Sequence, residues 1–339
     1  LGAPVVLVVD ARGQSQSIAA VLHGFSTATP DVHIGGVILN RVGSPRHERV
    51  LRQACESVGM PVLGALGRHD DLAVPSRHLG LVTAVEHGDQ AQAAVAAMAE
   101  LVARHVDVAA VAALARSSVS ARAWSPEQAV GEPVGGRPLV AVAAGPAFTF
   151  GYAERDELLR AAGAEIVEFD PIVDTLPAGA AALVLPGGFP EQYAGELAAN
   201  SALRTEIAEL AARAPVHAEC GGLTYLMSDL DGQPMCGVLS GSARFTAKLT
   251  LGYRDAVAPA DSVLFTAGER LVGHEFHRTT VEFTDSPQAA WLLGTDGSAP
   301  AREGALTAGV HASYLHTHPA AAPHAVRRFV DHAFIRLAR

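Results

Sequence analysis

Strand-like apolar runs, each followed by an amphipathic stretch, start twice along this chain, and that double start restricts its fold more than any other feature. The first series is "PVVLVVD" (Pro4–Asp10), a helical stretch near Gln14–Phe25, "HIGGVILN" (His33–Asn40), a second near Pro45–Val58, and "MPVLGAL" (Met60–Leu66). Runs that are apolar throughout, rather than alternating, predict parallel strands buried on both faces. An alanine-rich helical region covers about Asp89–Ser117, and a stretch dense in Ser, Pro and Gly follows it. The pattern then restarts with "PLVAVAAG" (Pro138–Gly145), a helix near Tyr152–Ala162, "AEIVEFDP" (Ala164–Pro171), "AALVLPGG" (Ala181–Gly188) and a helix near Ser201–Ala214. Antiparallel-looking strands come next, and the chain closes with "LTAGVHASYLHTHPA" (Leu306–Ala320) and a helix from about Ala322. The fold class is therefore α/β, with two tandem domains over residues 1–116 and 138–339 and a linker at 117–137.

At 339 residues the chain is long enough for two separate cores, and 49% hydrophobic against 18% charged residues is a compact globular balance. A formal net charge of −10 with no basic stripe excludes a nucleic-acid partner. Apolar runs are interrupted by charge, Gly or Pro before they reach membrane-spanning length, and no signal peptide is recognisable, so no membrane partner is expected. The cysteines are Cys55, Cys220 and Cys236, without ligand-like spacing, which fits a reducing, cytoplasmic setting.

In "PVHAECGGLTYLM" (Pro215–Met227), Val216 to Ala218 read as the last step of a central strand and Leu223 to Met227 as a helix. Cys220 then sits on a sharp strand-to-helix turn, where a side chain projects into solvent and the following N–H groups converge near its sulfur. A helix N-terminus favours thiolate, and two following glycines suit a tight turn open to a ligand. A nucleophile is expected there rather than an inert buried thiol.

"LPGGFPEQY" (Leu185–Tyr193) puts Gly187 and Gly188 at the carboxyl end of a strand, the edge where open α/β sheets bind ligands. Their N–H groups, with that of Gly221, are candidates to hold a tetrahedral oxyanion. A thiol nucleophile needs a base, and "SYLHTHPA" offers His316 and His318 at alternate positions of an expected strand, so that either could reach the sulfur. "GHEFHRT" (Gly273–Thr279) resembles a zinc motif only superficially. His274 and His277 are three apart rather than four and the surroundings read as strand, so substrate contact or packing is expected instead.

Taken in order, "VVLVVDARGQSQSIAAVLHGF", "GVILNRVGSPRH", "RHLGLV", "LPGGFPE", "AECGGLTYL", "GYR", "GHEFHRT" and "ASYLHTH" resemble the cobyrinate or hydrogenobyrinate a,c-diamide synthases across nearly the whole chain. The resemblance implies an N-terminal P-loop NTPase domain like that of dethiobiotin synthetase and a C-terminal glutamine amidotransferase domain of the class I type. It assigns the nucleophile to Cys220 and its base to His316. It implies three substrates, namely glutamine, ATP with Mg²⁺ as cofactor, and a corrinoid (cobyrinate or hydrogenobyrinate) amidated at its a and c acetates. A homodimer stays open as an alternative to a monomer. Cobyric acid synthase and nickel-sirohydrochlorin a,c-diamide synthase are neighbouring readings, and a corrinoid- or glutamine-binding module without turnover is the non-enzymatic one.

Two departures from related patterns stand out. The wider amidotransferase class has an acid two residues after the base, where this chain has His318, so a Cys-His dyad is expected with Glu219 as an auxiliary. No GxxxxGK[ST] occurs, and the sole lysine, Lys248, lies in the second domain. The family carries that loop ahead of the region matching Leu1, so the resemblance implies about a hundred further residues upstream and an incomplete first sheet. What remains for the nucleotide is Asp10, a candidate Mg²⁺ ligand or alternatively a helix N-cap, with Asn40 and Arg41 as candidate contacts to the base. These 339 residues by themselves are expected to bind ATP weakly.

Overall fold

A computed structural model describes residues 2–29, 31–69, 84–117, 119–294 and 299–337, with side chains for all of these except 84–91 and 336–337. The family-like segment "RHLGLV" (residues 77–82) lies outside the described residues. Two compact units divide the chain, Leu1–Ala123 and Trp124–Arg339.

The first unit contains β1 (Val5–Asp10), α1 (Ser17–Ala28), β2 (Ile34–Val42), α2 (Pro45–Ser57), β3 (Val62–Gly67), α3 (Ala84–His105) and α4 (Val108–Leu114). Its strands form a parallel sheet in the order β1-β2-β3. Ile18 and Leu22 of α1, with Leu51 and Cys55 of α2, pack on Val37 and Leu39 of β2. Helix α2 begins where its residues dictate: Ser44 Oγ accepts from His47 N at 3.1 Å, Pro45 takes the first turn, and Glu48 pairs with Arg52. Strand β1 is not buried on both faces as its apolar run predicts. It is the edge of the described sheet, and Val8 is 61% exposed.

The second unit starts with α5 (Pro126–Val130), a short helix inside the stretch read as linker, whose Val130 is buried. Then come β4 (Leu139–Ala143), α6 (Ala153–Ala161), β5 (Glu165–Phe169), β6 (Ala182–Leu185), α7 (Ala194–Ala199), α8 (Ser201–Ala211), β7 (Val216–Glu219) and α9 (Gly221–Leu226). Six short strands and a long hairpin follow: β8 (Met227–Leu230), β9 (Gln233–Pro234), β10 (Leu239–Val257), β11 (Arg270–Phe283), β12 (Trp291–Leu293), β13 (Ala301–Glu303), β14 (Ala305–Thr307) and β15 (Val310–Ser313). Helix α10 (Pro323–Leu337) closes the chain.

The main sheet runs β14-β15-β7-β6-β4-β5, parallel except for β14. Its inner strands β15, β7, β6 and β4 are buried on both faces, and alternate residues divide between two cores. Ala141, Ala143, Leu183 and Leu185 join Leu197, Ile207, Leu210 and Leu223 on the side of α7, α8 and α9. Val140, Val142, Ala182 and Val184 join Leu158, Phe329 and Val330 on the side of α6 and α10. The second sheet is built on β10, which pairs antiparallel with β11 over most of its length and also contacts β8 and β12.

Helix α9 lies so close to β6 that a Cβ on Gly222 would stand 2.1 Å from the Leu185 carbonyl oxygen. Backbone cannot retreat as a flexible side chain can. Gly222→Ala is therefore expected to cost about 3 kcal/mol or more in urea unfolding, and an unchanged midpoint would show that α9 has room to shift.

Candidate active site

Strand β7 ends at Glu219 and α9 begins at Gly221, leaving Cys220 alone on the turn with φ 51° and ψ −103°. An L-residue rarely occupies that region, so the turn is held from outside: Cys220 N donates to Ser313 O at 2.7 Å and Leu223 N to Cys220 O at 3.1 Å. The sequence pattern predicts a thiol out in solvent, whereas Cys220 is only 5% exposed. The loop at Gly187 and the segment carrying His316 close over it. A Cβ on Gly187 would be 2.7 Å from His316 Cε1 and 3.6 Å from Cys220 Cβ, so both groups have moved into the space that a larger residue would fill.

The expected strand through His316 and His318 stops earlier, at Ser313. β15 pairs with β7, whose last residue, Glu219, lies opposite Ser313; beyond it β7 becomes the elbow and offers no partner. The chain then pairs with β11 instead, through one bridge in which His274 N donates to His316 O (3.0 Å) and His316 N to His274 O (2.8 Å). That bridge points His316 into the elbow. His316 Nδ1 lies 2.8 Å from Glu219 Oε1, and the ring lies beside Cys220, the two meeting at Gly187. With Nδ1 on the carboxylate, Nε2 is the nitrogen left for the sulfur. Burial works against the charged imidazole, but Cys220 and Glu219 outweigh it and raise the His316 pKa well above the usual value. Burial likewise opposes ionised Glu219, yet His316 holds it below the ordinary carboxylate range.

Gly188 and Gly221 also meet here: the Gly188 nitrogen is 3.1 Å from where a Gly221 Cβ would stand. Gly221 opens α9, where a backbone N–H has no intrahelical acceptor. A thiol, an imidazole–carboxylate pair and neighbouring backbone donors can open a carboxamide through a thioester.

The structure brings Cys220, His316, Gly187, Gly188 and Gly221 together and leaves His318 aside. His318 has a side chain 48% exposed, accepts from Ala320 N at Nδ1, and lies against the Tyr152 ring. "GHEFHRT" contributes differently from a metal motif, because its two histidines point to opposite faces of β11. The His274 ring stacks on His316 at 4.9 Å, and His277 stacks on Tyr314 at 3.8 Å. Sequence reasoning expected substrate contact or packing from His274 and an auxiliary role for Glu219, but placed neither of them against the His316 ring. The one signal for Glu219 was its position next to the cysteine.

In the first unit, Asp10 and Asn40 are register partners at the carboxyl edge of the sheet. Asp10 accepts from Arg12 N at 2.9 Å and pairs with Arg41 at 3.2 Å; α1 starts only at Ser17, so Asp10 does not cap it. The Arg12 N–H and the Arg41 guanidinium hold the Asp10 carboxyl below its usual range despite some desolvation. Arg41 has φ 59°, a conformation secured by Asn40 Oδ1 accepting from Arg41 N at 2.9 Å. Among the described residues there is no group of three or more metal-binding side chains and no helix long and apolar enough to cross a membrane.

Residues 139–323 match the family model described as a CobB/CobQ-like glutamine amidotransferase domain, so the elbow belongs to an amidotransferase. Residues 4–82 match a CobQ/CobB/MinD/ParA nucleotide binding domain. A hydrogenobyrinate a,c-diamide synthase of Mycobacterium tuberculosis is 64% identical over 334 residues, spanning 98% of this chain and 73% of the relative. One of Streptomyces coelicolor is 53% identical over 366 residues (98% and 74%), and a cobyrinate a,c-diamide synthase of Synechococcus is 36% identical over 342 residues (98% and 74%). The chain belongs to the hydrogenobyrinate and cobyrinate a,c-diamide synthase family.

Proposed function

We propose that this amidotransferase is an ATP-dependent carbon–nitrogen ligase that converts the a and c acetates of hydrogenobyrinate or cobyrinate to amides, with glutamine as nitrogen donor, in cobalamin biosynthesis. The observation that carries the proposal is the Cys220–His316 contact on the elbow of a CobB/CobQ-like domain, in a chain with 64% identity to a hydrogenobyrinate a,c-diamide synthase. Residues 138–339 release the ammonia, and residues 1–116 contribute to its use. All three cysteines are free, as a cytoplasmic setting would leave them.

Cys220 Sγ attacks the carboxamide carbon of glutamine, and the oxyanion takes hydrogen bonds from the N–H groups of Gly188 and Gly221, with Gly187 shaping the loop. The C–N bond breaks as His316 gives its proton to the departing nitrogen, which leaves as ammonia. Water then adds to the glutamyl thioester, His316 takes its proton, and glutamate leaves with the thiol restored. On the synthetase side, an acetate oxygen takes the γ-phosphoryl group of ATP, releasing ADP. Ammonia displaces phosphate from the resulting acyl phosphate, and a second round gives the diamide.

Magnesium in nucleotide sites takes one or two carboxylates, with phosphate and water oxygens for the rest, so the single exposed carboxylate of Asp10 fits that share. Bound there, it would neutralise phosphate charge. Arg41, now on Asp10, and Asn40 are the side chains at the same edge that would meet the nucleotide.

The test is a product assay by mass spectrometry, with glutamine, Mg·ATP and either macrocycle supplied to the full synthase. The diamide is expected only when all are present. Amidation of other side chains, or none despite intact glutamine hydrolysis, would sink the substrate assignment.

A further inference from the structure

We propose that Glu219 is the third member of the Cys220–His316 unit, a positioning residue that fixes the imidazole's tautomer and aims Nε2 at the sulfur. This deepens the amidotransferase reading and rests on it. The acid comes from the residue immediately before the nucleophile. It does not come from two places after the base, where the exposed His318 stands.

Four observations meet at this pair. Glu219 and His316 side chains are 8% and 7% exposed, and Oε1 is 2.8 Å from Nδ1, so the contact is dry and short. The other oxygen, Oε2, accepts from Thr317 N at 3.3 Å, which ties the carboxylate to the segment that carries the base. Pairing of Ser313 with Glu219 sets the height of that segment along β7, so the carboxylate and the base arrive together by strand register. The remaining freedom of the ring is removed by His274 stacked on its face, with an interplanar angle of 13°, and by Gly187 at its Cε1 edge.

An ionised carboxylate only accepts, so the Nδ1 proton stays on that side and Nε2 faces the thiol. The same carboxylate stabilises the imidazolium that must protonate the departing ammonia. Other groups that face the pair are Cys220, His217 of β7, His274 of β11, and Tyr152 and Arg155 at the start of α6. Burial keeps His217 and His274 below the usual histidine range, so both are neutral at pH 7, and Arg155 is paired with Asp156 at 3.1 Å. Within this set, Glu219 is the anion in contact with the base.

The sign of the pH effect follows from the charge. Glu219 favours protonated His316, so neutralising it lets the imidazolium lose its proton at lower pH. Glu219→Gln keeps an oxygen that can accept from Nδ1 but removes the charge, and Glu219→Asp keeps the charge on a shorter arm. The experiment is ammonia release from L-glutamine as a function of pH, with thermal midpoints recorded alongside. Glu219→Ala is expected to lower kcat on the order of 10²-fold with a smaller change in KM. In Glu219→Gln the alkaline limb of kcat/KM should move down by about one pH unit or more, whereas Glu219→Asp should keep the wild-type limb. A Gln variant with wild-type kcat and an unmoved limb overturns the proposal. So does a limb that moves equally in the Asp variant, since that would mark a packing role. A folded wild-type chain that releases no ammonia from glutamine would overturn the amidotransferase reading itself.

Discussion

Cys220→Ala is expected to reduce ammonia release from glutamine by at least about 10³-fold, because no other group at the elbow can form the acyl intermediate. The fold should survive the change. Alanine meets the same positive φ as cysteine does, and the side chain lost is small. In the full synthase, free ammonium should still support amide formation, since the acyl phosphate is made without the thiol. Cys220→Ser is expected to behave like the alanine variant, because a hydroxyl beside the same imidazole is a far weaker nucleophile than a thiolate. Glutamine-dependent turnover that persisted in Cys220→Ala would place the nucleophile elsewhere.

His316→Asn is expected to lower the same rate by about 10² to 10³-fold, with His318→Asn close to wild type. The contrast follows from the buried ring of His316 against the exposed ring of His318, whose Nδ1 is used by Ala320 N. His316→Asn should also leave the Glu219 carboxylate without its counter-ion, at a cost of about 3 kcal/mol near neutral pH. The pair's contribution depends on pH in a defined sense. Glu219 is lowered and His316 raised, so the contribution is full only between the ordinary pKa of a carboxylate and the ordinary pKa of an imidazole. It declines as pH falls from there through the folded pKa of Glu219, or rises from there through the folded pKa of His316. Urea unfolding of both variants across pH reads this directly. A larger loss of ammonia release in His318→Asn than in His316→Asn would transfer the base.

Much of this was legible in local sequence. Apolar runs followed by amphipathic stretches identified parallel strands, because a strand covered on both faces has no polar position to spare. The cysteine elbow was legible too: Glu-Cys-Gly-Gly at a strand end leaves little choice but a tight turn, and Gly222 is small because α9 presses on the Leu185 carbonyl. The burial of β1 was overestimated because hydropathy reports what a strand could cover, not whether a neighbour is present at its edge.

The α/β class and the strand-to-helix elbow at Cys220, with His316 and His318 as candidate bases, follow from residues a few places apart in the chain. Which histidine lies beside Cys220, and which carboxylate stands behind it, is fixed only by the tertiary structure. His316 lies 97 residues from Glu219 along the chain. They meet because β15 pairs with β7 in one register, and because β11 rather than β7 receives the chain after Ser313. Spacing along a strand says which residues share a face. It cannot say where the neighbouring strand ends, and in this site that ending turns His316 toward the sulfur and leaves His318 in solvent.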